Sequence, residues 1–294
     1  MTKILSYGEV LFDLIEGEAH LGGAPLNFAV NCSRLGADVK ILSALGADNL
    51  AASAREQIVQ FGLSTELIQE RSDKATGQVS VSLHNGQPAY SIETDMAYDY
   101  ISEKEALASM QHDHFDLFYF GSLAQRNGVS RDSLKRIIKE IRFKELFFDC
   151  NLRQGFYHRE LIEDSLNCAT ILKLNDEELP IITKLLYHRN MRVAEACCAL
   201  ADTYNLKLLI LTAGSEGATV FHKSTPYFVP ALPIKVSDTV GAGDAFSAAF
   251  AINFLAGLSP KECLEAGNRL GAFVASQRGA LPEIPQKLKE DCSP

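Results

Sequence analysis

The sequence predicts an α/β protein: a three-layer α/β/α sandwich on a mostly parallel sheet, with a small β-sheet lid. Three observations predict it. Short unbroken apolar runs alternate along the chain with stretches whose apolar residues recur at helical spacing, the pattern of strands covered on both faces by crossover helices. Right-handed crossovers then put helices on both sides of the sheet. Two further segments do not fit this rhythm, and a half-polar ribbon has no place inside a doubly covered sheet.

The elements follow in order. KILSY (3–7) reads as the first buried strand, and VLFDLIEGEAHLGG (10–23) as an extended segment ending in Gly22-Gly23, a candidate hinge. PLNFAVNCSRLG reads as a helix opened by Pro25, VKILSAL as a strand, and Asn49 to Phe61 as a helix closed by Gly62. GQVSVSLHNGQPAYSIE (77–93) alternates with period two around Asn85-Gly86, the strongest short hairpin signal. That hairpin and the first extended segment form the expected lid, about 10–24 and 76–100, within one domain spanning 1–294.

LFYFG, a helix carrying Leu134, Ile137, Ile138 and Ile141, then ELFFDC, ATILKL and LKLLILT continue the alternation. Ala242 to Ala256 reads as an Ala-rich helix stopped by Gly257 with Pro260 beyond, and a second helix runs from Lys261 to about Ser276. The last dozen residues, ending KLKEDCSP, read as a tail.

Composition excludes several function classes. With 294 residues, 47% apolar and 22% charged, the chain can bury a large core. No apolar run approaches the roughly 18 residues of a membrane span, and the opening residues do not read as a signal peptide, so a cytoplasmic protein without a membrane partner is expected. A net charge of −9 with no Lys/Arg block argues against nucleic acid as a partner. Seven cysteines, odd in number, mostly in apolar stretches and without CxxC spacing, read as reduced buried thiols.

Chemistry concentrates in DTVGAGDAFSAAF (238–250). A helix start offers N–H groups without intrahelical acceptors at the positive end of the macrodipole, so Gly241, Ala242 and Gly243 can hold a phosphate oxygen. Asp244 follows at once. By the turn alone it is either a carboxylate complementing the helix dipole or a general base beside an anion hole, the two ends of one phosphoryl transfer.

DTVGAGDAF resembles the C-terminal signature of the ribokinase-like (PfkB-type) carbohydrate kinases, and GGAPLNFAVNCSRLGA (22–37) resembles their N-terminal one. The two lie in the right order, and intermediate motifs extend the resemblance over essentially the whole chain. It implies a ribokinase-like sandwich, ATP as phosphoryl donor, Asp244 as base and Gly241, Ala242 and Gly243 as anion hole. It also implies sugar contacts from Asp13, which interrupts an apolar strand, from Gly23, and from Asn27 in a first helical turn.

The NxxE spacing in KLNDEEL puts Asn175 and Glu178 on one helical face, as an N-cap with an acidic first turn or as oxygen donors towards Mg²⁺. The family resemblance favours Mg²⁺ held through water. LTAGSEGA (211–218) resembles a nucleotide-binding stretch, implying that Thr212, Gly214 and Gly217, with Gly243, approach ATP. GNRLGAFVASQRGALP (267–282) resembles the adenine-side helix and loop, with Asn268 the base-side contact. Asp238, Val240 and Gly279 fall where related enzymes hold a monovalent cation, K⁺ here.

FDCNLRQGF (148–156) ends a strand, where α/β sheets place ligand sites. Its NLR resembles fructokinases and ketodeoxygluconate kinases, pointing Arg153 at the substrate or the transferred phosphate, which a guanidinium can grip with two bonds. Tyr90 and Tyr98 are candidate sugar contacts from the lid side, Tyr98 either stacking against the sugar or simply covering the lid. Glu93 lies near where a sugar acid would need a cation, which favours a neutral sugar and, within the family, fructose phosphorylated to fructose 6-phosphate. The alternatives are a kinase for 2-keto-3-deoxygluconate, ribose or a nucleoside, or a sugar-binding regulator that retains only the fold. An exposed lid edge leaves room for a homodimer.

Overall fold

A computed structural model describes the chain except residues 16, 85–86, 111–112 and 223–224 and the side chains of 81–90. In chain order the strands are β1 (Lys3–Tyr7), β2 (Leu11–Ile15), β3 (Glu18–Gly22), β4 (Asp38–Leu45), β5 (Ile68–Glu70), β6 (Gly77–His84), β7 (Gln87–Ile92), β8 (His114–Phe120), β9 (Arg142–Asp149), β10 (Ile171–Asn175), β11 (Leu208–Thr212), β12 (Ala218–His222) and β13 (Thr225–Val229). The helices are α1 (Ala24–Arg34), α2 (Asn49–Gln60), α3 (Glu103–Ser109), α4 (Gly128–Glu140), α5 (Arg159–Cys168), α6 (Glu178–Tyr187), α7 (Val193–Thr203), α8 (Ala242–Leu255), α9 (Pro260–Ala275) and α10 (Gln286–Cys292).

Nine strands form one sheet in the order β13-β12-β11-β10-β9-β8-β1-β4-β5. From β11 to β5 all neighbours run parallel, while β12 and β13 pair antiparallel at one edge. Alternation along each strand feeds two cores. Ile4, Leu117 and Tyr119 face one with α1, α2, α8 and α9, and Leu5, Phe118 and Phe120 face the other with α4 to α7. The expected three layers result. A separate four-stranded sheet, β3-β2-β6-β7, is the expected lid. The Asn85-Gly86 hairpin turn expected between β6 and β7 lies outside the described residues.

Two boundaries differ from the sequence reading. α9 begins at Pro260 rather than Lys261, because the Ser259 side chain accepts from the Glu262 N–H while Glu262 reaches back to the Ser259 N–H. The C-terminal dozen residues are no tail. α10 buries Cys292, whose carbonyl accepts from Asn253 Nδ2 at 2.7 Å, an anchor that a polar sequence pattern hides. Among the described residues no helix is long and apolar enough to cross a membrane.

Candidate active site

The parallel strands end at one edge of the sheet, where open α/β folds place their ligands. There α8 opens on Gly241 at φ +75°, and a Cβ at that position would lie 2.6 Å from the Cβ of Ala280. Only glycine makes the turn. The Ala242 N–H makes a long 3.3 Å bond to the Thr239 carbonyl, whereas Gly243 is exposed at the helix start.

Asp244 is half-buried on the first turn, and its Oδ2 accepts from Asn27 Nδ2 at 2.8 Å. Burial pushes its carboxyl up to about 6, repulsion from Asp149 adds to that, and Asn27, Lys173 and Arg153 pull it back. The result is a carboxylate ionised at neutral pH yet more basic than a solvated one, which suits proton abstraction.

Asn27 comes from the first turn of α1, opened by Pro25. Its amide nitrogen is engaged by Asp244 while its buried Oδ1 has no partner. Gly23 precedes that helix at φ +111°, where a Cβ would lie 2.4 Å from the Glu9 carbonyl oxygen. Gly23→Ala is therefore expected to lose at least about 1–3 kcal/mol of stability from the backbone conformation alone, measured by urea unfolding; an unchanged midpoint would refute the need for glycine.

Asp13 stands on β2 opposite His20 of β3, its pKa raised by burial and lowered by Arg153 and His20. Arg153 is exposed on the loop after β9, between Asn151 at φ +40° and Gln154 at φ +47°. Two non-glycine residues in left-handed backbone mark a loop held in a costly conformation. The Arg153 guanidinium is felt by Glu9, Asp13 and Asp244 together, so it faces the same space as those three carboxylates.

On the neighbouring strands Asn175 and Thr212 pair in register at the ends of β10 and β11. The Glu178 N–H donates to Asn175 Oδ1, the Asn175 N–H to Glu178 Oε2 and the Leu152 N–H to Glu178 Oε1, each at 2.8 Å. The NxxE pair forms the expected reciprocal helix cap, with lone pairs left on the Asn175 and Glu178 oxygens. Among the described residues no cluster of three or more His, Cys, Asp or Glu could hold a metal directly. The donor set fits a hard divalent cation bound through its waters.

Gly214 (φ +48°) and Gly217 (φ +114°) shape the turn after β11, and a Gly217 Cβ would lie 2.3 Å from the Val229 carbonyl oxygen. Asn268 on α9 donates through Nδ2 to the carbonyls of Val229 and Pro230 at 3.3 and 3.1 Å. Its amide nitrogen thus anchors the 229–230 segment, and only Oδ1 remains for a base. Asp238, Val240 and Gly279 do come together: Asp238 accepts from the Val240 N–H at 3.0 Å and from the Gly279 N–H at 3.1 Å. That loop pair abuts Gly241 through Ala280.

Of the two lid-side tyrosines, Tyr98 alone has a described side chain. The Tyr90 side chain lies outside the described residues. Tyr98 is fully buried, the arrangement of its lid-covering reading, with the Arg126 guanidinium over its ring at 4.9 Å.

Sequence reasoning missed four residues here: Glu9, Arg126, Asp149 and Lys173. Lys173 and Asp149 pair in register on β10 and β9, and Lys173 Nζ donates to both Asp149 oxygens at 3.0 Å. The hydroxyls of Tyr119 and Ser247 donate to Asp149 Oδ2 at 3.1 and 2.9 Å. Lys173 Nζ is 3.4 Å from where a Gly243 Cβ would stand, directly beneath the turn at 241–243. A lone charge inside each apolar strand, ILKLN and LFFD, was the available signal.

Residues 1–287 match the model of the pfkB family carbohydrate kinases. The chain belongs to that family. An uncharacterized sugar kinase of Pyrococcus horikoshii is 30% identical over 308 residues, covering 97% of this chain and 94% of its own length. A fructokinase of Escherichia coli is 26% identical, with 99% of each chain covered. The Pyrococcus enzyme solved in complex with ATP superposes with a TM-score of 0.77 at 27% identity over 94% of this chain and 93% of its own. A Vibrio cholerae fructokinase solved with fructose, ADP and calcium reaches a TM-score of 0.83 at 20% identity over 99% of this chain and 98% of its own, which shows the shared fold of these kinases.

Proposed function

We propose that the protein transfers the γ-phosphoryl group of ATP to a primary hydroxyl of a neutral sugar, fructose foremost, giving fructose 6-phosphate. One observation carries the reading. Asp244, a carboxylate of raised basicity, sits one residue past an exposed glycine turn at a helix N-terminus, held by Asn27 and facing Arg153.

In this reading Asp244 takes the hydroxyl proton as the oxygen attacks, and the turn at 241–243 with Arg153 meets the charge on the migrating phosphoryl group. Asn27 Oδ1 and Asp13 accept hydroxyl protons of the sugar and so orient it. The lid sheet that carries Asp13 excludes water, which would otherwise compete as acceptor. Gly214 and Gly217 let backbone approach the nucleotide, and Asn268 lines the base side. Bound through water by Asn175 and Glu178, Mg²⁺ supplies charge neutralisation at the phosphates; K⁺ would be held at Asp238, Val240 and Gly279.

The fructokinase names among the relatives and the neighbour holding fructose and ADP support fructose as first choice. The test is ATP consumption by purified protein with Mg²⁺ and K⁺ against fructose, ribose, 2-keto-3-deoxygluconate, adenosine and no acceptor. Fructose is expected to give the highest kcat/KM. A higher value for another acceptor would replace the substrate, and silence with all of them would overturn the kinase reading.

A further inference from the structure

Beneath the lid, three buried polar atoms lack a well-aligned hydrogen-bond partner, Glu9 Oε2, Tyr98 Oη and Arg126 Nη1, with only a loose mutual bond between Tyr98 and Arg126. They belong to one neighbourhood. The charges of Arg126 and Glu9 both act on Tyr98, and that of Glu9 acts on Arg126. The Arg126 guanidinium is sandwiched between the rings of Tyr98 at 4.9 Å and Phe156 at 4.7 Å, and Phe156 closes the loop that presents Arg153.

The neighbourhood borders the acceptor site on two sides. Glu9 feels Arg153 and Asp244, and its backbone backs Gly23. The Tyr98 ring packs against Gly77, where an added Cβ would meet Tyr98 at 2.6 Å and the Leu11 Cβ at 3.0 Å. Leu11 and Asp13 are two apart on β2 and so share one face of the lid sheet. Leaving a buried polar atom unpaired carries a desolvation penalty, and three together point to a missing group that completes them.

We propose that Glu9, Tyr98 and Arg126 form a subsite for a neutral hydroxyl of the acceptor sugar, remote from the hydroxyl that is phosphorylated. This rests on the sugar-kinase reading and narrows its substrate class. One acceptor, one donor and one hydroxyl that does either match a single O–H group, which donates once and accepts twice. A carboxylate does not fit. The Arg126 charge is already met by both oxygens of Asp99, at 2.8 Å to Oδ1 and 2.9 Å to Oδ2, and Glu9 would face the newcomer. Burial pushes the Glu9 carboxyl up to about 7, and a second carboxylate beside it would be repelled by the charge it keeps near neutral pH and above. A trapped water has the same chemistry as a sugar hydroxyl, so the test separates the two.

Tyr98→Phe removes only the O–H. Fructose binding by calorimetry and steady-state kinetics are measured on the whole protein, together with the thermal midpoint. The expected result is a dissociation constant and a KM for fructose raised roughly 3- to 10-fold, as for one lost neutral hydrogen bond, with kcat changed much less and the midpoint unmoved. In parallel, Glu9→Gln is expected to narrow the preference for fructose over 2-keto-3-deoxygluconate by removing the repelling charge.

Unchanged fructose binding with a lowered midpoint in Tyr98→Phe would assign the site to a structural water and overturn the proposal. Unchanged values throughout would overturn it as well. Wild-type protein that turns over fructose while Tyr98→Phe behaves identically sinks the subsite alone; wild-type protein that neither binds nor phosphorylates fructose removes the reading beneath it too.

Discussion

Asp244→Asn is expected to lower kcat about 10²- to 10⁴-fold, the range a positioned general base contributes, while leaving the fold intact. Asparagine keeps the shape and an oxygen for the Asn27 Nδ2 bond of 2.8 Å, but it cannot take a proton. To act as the proposed base Asp244 must be ionised, and burial holds its carboxyl near 6. The rate is therefore expected to climb about tenfold per pH unit below 6 and to level off above it, and the variant's residual rate is expected to lack that limb.

Stability runs the other way. A carboxyl whose pKa is higher in the folded than in the unfolded state stabilises the fold below the unfolded value and loses that contribution as pH rises through the folded one. At pH 7.5 the Asn variant is expected to be at least as stable as the wild type. Thermal unfolding beside the rate measurement thus separates lost chemistry from lost structure. A variant that is folded and keeps more than a tenth of wild-type kcat would remove Asp244 from the role of base.

The fold and the centre of the site were legible for physical reasons that differ along the chain. Runs such as KILSY and LKLLILT are too short and too apolar to be anything but buried strands, and their alternation with amphipathic helices fixes a parallel sheet. Gly241, Asp244, Gly23 and Asn27 were legible because a tight turn and a first helical turn each allow few residue types. Their meeting, however, joins positions 27 and 244 across the chain, and only the resemblance to a known family put them in one site.

What stayed hidden depends on three-dimensional partners. Glu9 looks like an ordinary polar residue after a strand, and its burial appears only once α1 and the lid close over it. Arg126 reads as a surface charge, yet two aromatic rings and Asp99 enclose it. For Tyr98 the sequence left stacking on a sugar and covering the lid open, and only its full burial shows that the ring fills the base of the lid. The C-terminal helix was missed because a polar heptapeptide gives no period, and one buried cysteine holds it.

Lys173→Met is expected to be the most destabilising single change at the site, by about 3–5 kcal/mol, as when one partner of a buried ion pair is removed. The side chains of Lys173 and Asp149 are 9% and 1% exposed, so the abandoned Asp149 charge has little water to turn to. Tyr119 and Ser247 still donate to it, and those two neutral bonds do not replace an ammonium. A fall in thermal midpoint on the order of 10 °C follows from the size of the chain. Burial by itself lowers the Lys173 pKa, but the carboxylates of Asp149, Glu178 and Asp244 raise it further, so the lysine is charged and its loss is a loss of charge.

The double variant Lys173→Met/Asp149→Asn decides whether charge or packing is responsible. With both charges gone no ion is left unpaired, and most of the lost stability is expected to return. Activity is not expected to return with it. Lys173 Nζ lies beneath the Gly243 turn, and without it the proposed phosphoryl site has one cation fewer, so kcat should stay depressed in a protein that is stable again. Recovery of both stability and kcat in the double variant would reduce the pair to a structural strut. Recovery of neither would show that the volume of the lysine side chain, rather than its charge, holds β9 and β10 in place.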